Sequence, residues 1–439
     1  MNFRRSLPEI RGQACLSPPC LAAYSPPFFV YTAPMPISLK ARLCLMMFLN
    51  YVIWGAWYVT ITAYLMKTLN FSGTEAGAVF GTAALASMIS PFFIGLVADR
   101  FFATEKVLAV LHLMGAGLLF CVTQATGFAS VYVLMLLYCL CFFPTIGLTN
   151  SLTLRQLTDA GGQFPFIRMF ATIGWIAIGV TISYLNVQES ATQFLLAAGM
   201  SLAMSAFCLT LPHTPPAGKG QKITARSLLG LDALVMLKKR PYLVFVVASV
   251  LACIPLTFYF VFTAKYLVEV GVANVAGTMT LGQLSEVGVM LLMPLIFRKI
   301  TVRGVFILGL ACWSLRYGLL AFGNAGAAVW MFYLAILLHG FCFDFFFMTG
   351  QLYTDQEAPP HLRGTAQGFL TFLTYGVGMF IGSMLSGVAL DYFTTTESGG
   401  AVKHNWTSFW IVCGGGAAVI LVLVALFFQT RVKIETKVA

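Results

Sequence analysis

Twelve runs of about 20 predominantly apolar residues, each bounded by charged or turn-forming residues, occupy most of the 439-residue chain. A helix needs about 20 such residues to cross the hydrocarbon core of a bilayer, so each run predicts one spanning helix. The runs are 43–66, 76–97, 107–126, 130–152, 167–187 and 191–211, then 242–264, 275–297, 303–323, 328–352, 364–390 and 406–429. Only 9% of the residues are charged, against roughly 25% in a soluble domain, which excludes a water-soluble enzyme. Apolar residues extend through the whole chain rather than forming one anchor. The predicted fold class is therefore an all-α polytopic membrane protein with twelve transmembrane helices in two six-helix halves.

The boundaries that follow are 39–211 for the first half, 212–241 for a basic linker, 242–429 for the second half and 430–439 for a tail. Placing the N-terminus inside puts 21 of the 26 Lys and Arg residues on one side and only Lys67, Lys265 and Lys403 on the other. Positive charge marks the cytoplasmic loops of membrane proteins, so both termini and the linker are expected in the cytoplasm. The net charge of +11 then reports topology rather than a nucleic-acid partner. Residues 1–38 differ in composition, being Pro-rich and lacking an apolar core before Pro18 and Pro19. Segment 1–34 is read as a disordered extension or an upstream start ahead of Met35.

Nine of the eleven cysteines sit in apolar runs, where they pack as small hydrophobes. No CxxC pair and no His/Cys cluster has metal-ligand spacing, so no metal, no cofactor and no catalytic centre is expected. The sequons Asn70-Phe-Ser and Asn405-Trp-Thr abut the spans and read as chance matches, and the short loops suit a bacterial cytoplasmic (inner) membrane protein.

A charged side chain at the bilayer centre costs about 2.5–3.5 kcal/mol on insertion scales, so ionisable residues within spans are functional candidates by default. Glu286 lies near the middle of span 275–297, and Asp344 lies deep in span 328–352. Burial disfavours an ionised carboxylate, and such a group can load and release a proton; the alternative is a structural carboxylate tied to Arg168 or Arg316. Gln283 precedes Glu286 by three residues and shares its helix face. Its amide suits ribose hydroxyls or a base edge, or equally a hydrogen bond between helices. Arg168, Thr172 and Trp175 follow i, i+4, i+7 spacing, which sets a donor fork, a hydroxyl and an aromatic plate on one face. Arg168 is so close to the start of its run that it is also placed to snorkel to the surface. His339 is open to three readings: a modulator of Asp344, a second proton carrier, or packing; His112 reads as packing. Arg316 is expected to pair with a carboxylate or a carbonyl.

Two six-helix halves joined by a basic loop are the organisation of the major facilitator superfamily. Gly95-Leu-Val-Ala-Asp99-Arg100 with Lys106 beyond it resembles that superfamily's loop motif, in which Gly95, Asp99 and Arg100 would form a gate latch. Further pieces narrow the resemblance to the nucleoside:proton symporter family. They are Trp54-Gly55-Ala56-Trp57, Phe143-Pro144-Thr145 through Asn150, Phe164-Pro165-Phe166-Ile167-Arg168 with Thr172-Ile173-Gly174, Leu229-Gly230-Leu231-Asp232-Ala233, Gln283-Leu284-Ser285-Glu286, Trp313-Ser314-Leu315-Arg316 and Gly340-Phe341-Cys342-Phe343-Asp344. They run colinearly from about residue 37 to the last span.

The resemblance implies import of nucleosides by proton symport with alternating access. It implies a central substrate site containing Arg168, Thr172, Gln283, Glu286, Phe343 and Asp344, with Trp175 as the aromatic partner one turn on. Asp344 and Glu286 would couple the proton. The partners implied are a nucleoside, a proton and the lipid bilayer, and a monomer is expected. One span departs from the family: where other members place amides, the seventh reads Pro255-Leu256-Thr257-Phe258-Tyr259-Phe260. That keeps open an alternative cargo, another small polar metabolite such as a sugar.

Overall fold

The computed structural model describes residues 36–157, 160–216, 231–359, 362–396 and 402–434, with backbone alone for 91–100, 160–162 and 231. Segment 1–34 lies outside the described residues. Lipid offers no hydrogen-bond partner to the backbone, so a spanning segment must satisfy its own amides, and helices do that. Among the described residues ten helices are long and apolar enough to span a membrane. Helix α3 (Gly73–Arg100) and the shorter α7 (Thr192–Cys208) fill the two remaining places, so the twelve expected spans each find a helix.

The first span is α1 (Ile37–Tyr58) followed by the short α2 (Ile61–Lys67). At the break between them Thr60 Oγ1 donates to Gln193 Oε1 (2.7 Å). Then come α3, α4 (Thr104–Gln124), α5 (Phe128–Gln156), α6 (Ala160–Leu185) and α7. A 3-10 turn, Leu231–Lys238, leads into α8 (Arg240–Glu269), α9 (Val275–Lys299) and α10 (Val302–Phe322). The tenth span is broken into α11 (Val329–Leu337), α12 (His339–Phe343), a π-turn (Asp344–Met348) and α13 (Thr349–Glu357). The eleventh is α14 (Arg363–Thr371), a second π-turn (Phe372–Gly378) and α15 (Met379–Tyr392). A two-stranded antiparallel ribbon, β1 (Thr394–Thr396) with β2 (Val402–His404), precedes α16 (Trp406–Phe427). π-turns in helices mark functional sites more often than chance, and Asp344 opens one of them.

Helix α1 packs on α6, α4 on α7 and α3 on α5; in the second set α10 packs on α16 and α8 on α15. The two sets meet mainly through α3 with α15 and α6 with α9. Bare backbone makes these crossings tight. A Cβ on Gly77 would stand 2.5 Å from the Ser383 carbonyl oxygen, and one on Gly387 2.5 Å from that of Gly73. On the other pair, Gly179 faces Thr280 and Gly277 faces Ser183. The Asp391 carboxylate, at the end of α15, accepts from the Gly73 (2.6 Å) and Thr74 (2.8 Å) amides that open α3. Thr62 Oγ1 donates to the Val261 carbonyl beside them. Spans alternate in direction, so all these contacts lie at the end opposite Pro36. The two helix sets are drawn together at that end.

Candidate functional site

Helix α1 presents Tyr51, Trp54 and Tyr58 on one face at i, i+3, i+7 spacing, and this face meets α6. Close approach is possible because Gly55 leaves no side chain against Ile178 and Trp175, and Gly174 none against the Phe48 backbone. Trp175 stands edge-on to Trp54 (5.1 Å between centroids, 86°) and to Tyr58 (6.0 Å, 65°). Trp54 also touches Phe143 (5.5 Å), and Tyr58 touches Phe260 of α8 (6.0 Å). An aromatic wall therefore crosses from one helix set to the other. Tyr51, Trp54, Tyr58 and Phe260 were not singled out as site residues from the sequence, although the spacing on the first span was signal enough for three of them.

Arg168 does not reach for the surface. Its guanidinium carbon lies 4.5 Å over the Tyr51 ring, and its Nη2 donates to Tyr51 Oη at 2.5 Å. The arginine is thus tethered to α1, half-buried, and within electrostatic range of Glu286 on α9. Thr172 is half-buried one turn along, between Arg168 and Trp175. Removing the Tyr51 hydroxyl frees the fork while leaving the ring. Tyr51→Phe is expected to raise KM for uptake about 3–10-fold with kcat nearly unchanged, the size of one ordinary hydrogen bond; initial-rate kinetics decide it, and a lower kcat at unchanged KM would contradict it.

Across from Trp175 stands Gln283. The two line one narrow cleft, together with Gly55, Thr60 and Gly179. One turn further along α9 is Glu286. Helix α12 is pressed onto α9 at this level because Gly340 has no side chain: a Cβ there would sit 2.5 Å from the Ser285 oxygen and 2.7 Å from the Glu286 nitrogen. Ser285 Oγ closes the contact by donating to the Leu337 carbonyl. This seam brings the Asp344 carboxylate, only 2% exposed, into electrostatic range of Glu286. Asp344 Oδ2 has no hydrogen-bond partner, and no ion pair among the described residues ties it to Arg168 or Arg316. Phe343 packs against His339 (5.5 Å) and Phe347 (4.7 Å).

The expectation for Arg316 is corrected. It is fully buried, yet among the described residues it pairs with neither a carboxylate nor a carbonyl: its guanidinium carbon lies 3.2 Å from the Tyr259 ring centroid, and Nη2 contacts His339 Nδ1 at 3.3 Å. An electron-rich ring face compensates the cation, a pairing that no carboxylate spacing could reveal. Gly95, Asp99 and Arg100 stand at the end of α3, but their side chains lie outside the described residues.

The family model for the nucleoside H+ symporter matches residues 37–433. The chain belongs to the nucleoside:proton symporter family. It is 38% identical over 413 residues to the candidate nucleoside transporter YegT of Escherichia coli (strain K12), covering 90% of this chain and 97% of that one. To the xanthosine permease of the same organism it is 33% identical, covering 89% of this chain and 96% of the other. The crystal structure of the nucleoside transporter NupG superposes with a TM-score of 0.82 at 28% identity, over 90% of this chain and 100% of that one. The symporter fold here is that of a polytopic transporter of the major facilitator type, not of an enzyme.

Proposed function

We propose that the chain imports nucleosides together with protons across a bacterial inner membrane, by alternating access of one central site. What supports this reading most is a single juxtaposition: Trp175 and Gln283, from α6 and α9, line one cleft, and the two membrane carboxyl groups Glu286 and Asp344 stand beside it.

The roles follow from the chemistry of each group. Trp175 and Phe343 offer ring faces to a planar base. Arg168 and Thr172 offer donors, and Gln283 both a donor and an acceptor, for base and ribose. Glu286 has the Arg168 cation within electrostatic range, whereas no ion pair among the described residues holds Asp344, and Asp344 is taken as the group that carries the proton. Two ionised carboxylates close together in a dry site repel each other and are poorly solvated. A proton on Asp344 removes one charge and lets the loaded carrier close around the nucleoside. Its release on the other side resets the site. A ligand shifts the two-state equilibrium only through its different affinity for the two states, and here proton and nucleoside would both favour the closed site.

The parts that rock are the six-helix units 39–211 and 242–429, joined by the linker 212–241. Both termini and that linker lie in the cytoplasm, following the 21-to-3 split of Lys and Arg. The end tightened by Asp391 then faces outward, and nucleoside leaves to the cytoplasm. A single chain carries every residue of the site, so the monomer is the working unit. In cells lacking their own nucleoside carriers, expression should confer uptake of labelled uridine that unlabelled nucleosides compete away and unrelated sugars do not. Competition by a sugar in place of nucleosides would overturn the cargo assignment.

A further inference from the structure

Arg316 decides the chemistry of His339. A guanidinium only donates hydrogen bonds, so in the 3.3 Å contact His339 Nδ1 is the acceptor. A neutral imidazole whose Nδ1 accepts carries its proton on Nε2. A proton on Nδ1 would set two donors face to face beside a fixed cation. His339 is thereby held as one tautomer, which presents a donor and nothing else, and the reading of it as a second proton carrier falls away.

It lies beside the candidate site, against Phe343 and the α9 segment that carries Gln283. His339 opens α12 at the break in the tenth span. Room for the ring comes from Gly282, where a Cβ would stand 3.2 Å from the His339 Cβ; Gln283 is the next residue. The imidazole stacks on Tyr259 (5.6 Å, 19°), meets Phe260 edge-on (5.8 Å, 81°) and packs against Phe343 (5.5 Å). Phe260 in turn reaches Tyr58 on the aromatic wall. Among the described residues the protein supplies no acceptor for Nε2–H. Nor is this nitrogen one of the sealed, unpartnered atoms, unlike Nε2 of His112. The donor is left for something that enters the site.

We propose that His339 is a specificity-determining residue: its Nε2–H donates to a ring carbonyl of the nucleobase, selecting oxo-nucleosides over their amino counterparts, with Arg316 as the positioning residue that holds the tautomer. This rests on the nucleoside reading above. Uridine and cytidine, like inosine and adenosine, differ where a carbonyl is exchanged for an amino group. A donor-only side chain meets the carbonyl with a hydrogen bond but meets the amino group as donor against donor, and a buried polar group left unpaired discriminates strongly. Gln283 can turn either end of its amide to the base and so does not discriminate alone.

The test is competition of labelled uridine uptake in proteoliposomes by these four nucleosides. The wild-type carrier is expected to prefer uridine over cytidine, and inosine over adenosine, by about tenfold or more. His339→Leu, verified as monodisperse, is expected to lose both preferences. His339→Gln should keep them, since Arg316 can donate only to the amide oxygen and so turns the amide N–H toward the base, a constraint that Gln283 lacks. Arg316→Lys, which retains a donor toward Nδ1, should preserve the preference ratio, and Arg316→Met should lower it. A wild-type carrier that takes both members of each pair equally overturns the proposal without any variant. A folded His339→Leu carrier that keeps the preferences overturns it as well. Failure of the wild type to transport any of the four would overturn the nucleoside reading itself, and the proposal with it.

Discussion

Replacing Asp344 with Asn is expected to abolish nucleoside accumulation driven by a pH gradient, lowering the gradient-dependent rate about 100-fold or more, in line with the loss of a group that must carry the proton. The substitution keeps the shape of the side chain and removes only its ability to titrate. Asp344 is buried, opens a π-turn and has an oxygen without a partner, so Asn fits the space and the carrier should still fold. Exchange of labelled for unlabelled nucleoside across the membrane, which needs binding and reorientation but no net proton movement, should persist within about tenfold of wild type. The measurement is paired: gradient-driven accumulation and equilibrium exchange in the same proteoliposomes. If Asp344→Asn still concentrates nucleoside in proportion to the imposed gradient, the proton is carried elsewhere.

The second large effect belongs to the crossing of α3 and α15. Replacing Gly387 with Val places a Cβ 2.5 Å from the Gly73 carbonyl oxygen and 2.8 Å from Thr74 Cα. Both are backbone atoms on the facing helix, so neither can swing aside, and the helices must part. Parting them also breaks the hydrogen bonds from Gly73 and Thr74 to Asp391. Small residues are what allow helices to pack closely in lipid. The change should therefore disfavour closure at this end and leave folding of each six-helix unit intact. Uptake should fall at least about tenfold. Spin labels at Ser72 and Tyr392, on a background without other reactive cysteines, should show a distance distribution moved to longer values. Unchanged distances with full transport would show that this crossing does not gate the carrier.

Hydropathy alone placed a helix at each of the twelve apolar runs, ten of them, among the described residues, long and apolar enough to span a membrane, because a lipid-spanning helix must be apolar over a length fixed by the bilayer. The breaks in the tenth and eleventh spans were not legible. Gly340-Phe341-Cys342-Phe343 reads as ordinary apolar helix, and the π-turn at Asp344 lies one turn beyond the place where Gly340 packs on α9 at Ser285 and Glu286, a contact between residues far apart in sequence. At the candidate site, the face shared by Arg168, Thr172 and Trp175 followed from helical spacing. What held Arg168 did not follow, since sequence left open whether it snorkels or turns inward, and the answer lay in Tyr51 on another helix. Arg316 was misread for a related reason. Its partners are a ring face and an imidazole nitrogen, whereas charge patterns in a sequence direct attention to carboxylates. The aromatic wall was half legible: Tyr51, Trp54 and Tyr58 share a face by spacing, but their junction with Phe260 depends on how two helix sets meet.

The central claim is that nucleoside and proton cross together. The most direct measurement is uptake of labelled uridine and inosine by the purified protein in liposomes with an imposed, inside-alkaline pH gradient. Nucleoside should accumulate above its external concentration and leak away when a protonophore collapses the gradient, with external alkalinisation following the addition of nucleoside. Uptake that only equilibrates, unaffected by gradient and protonophore, would contradict proton coupling.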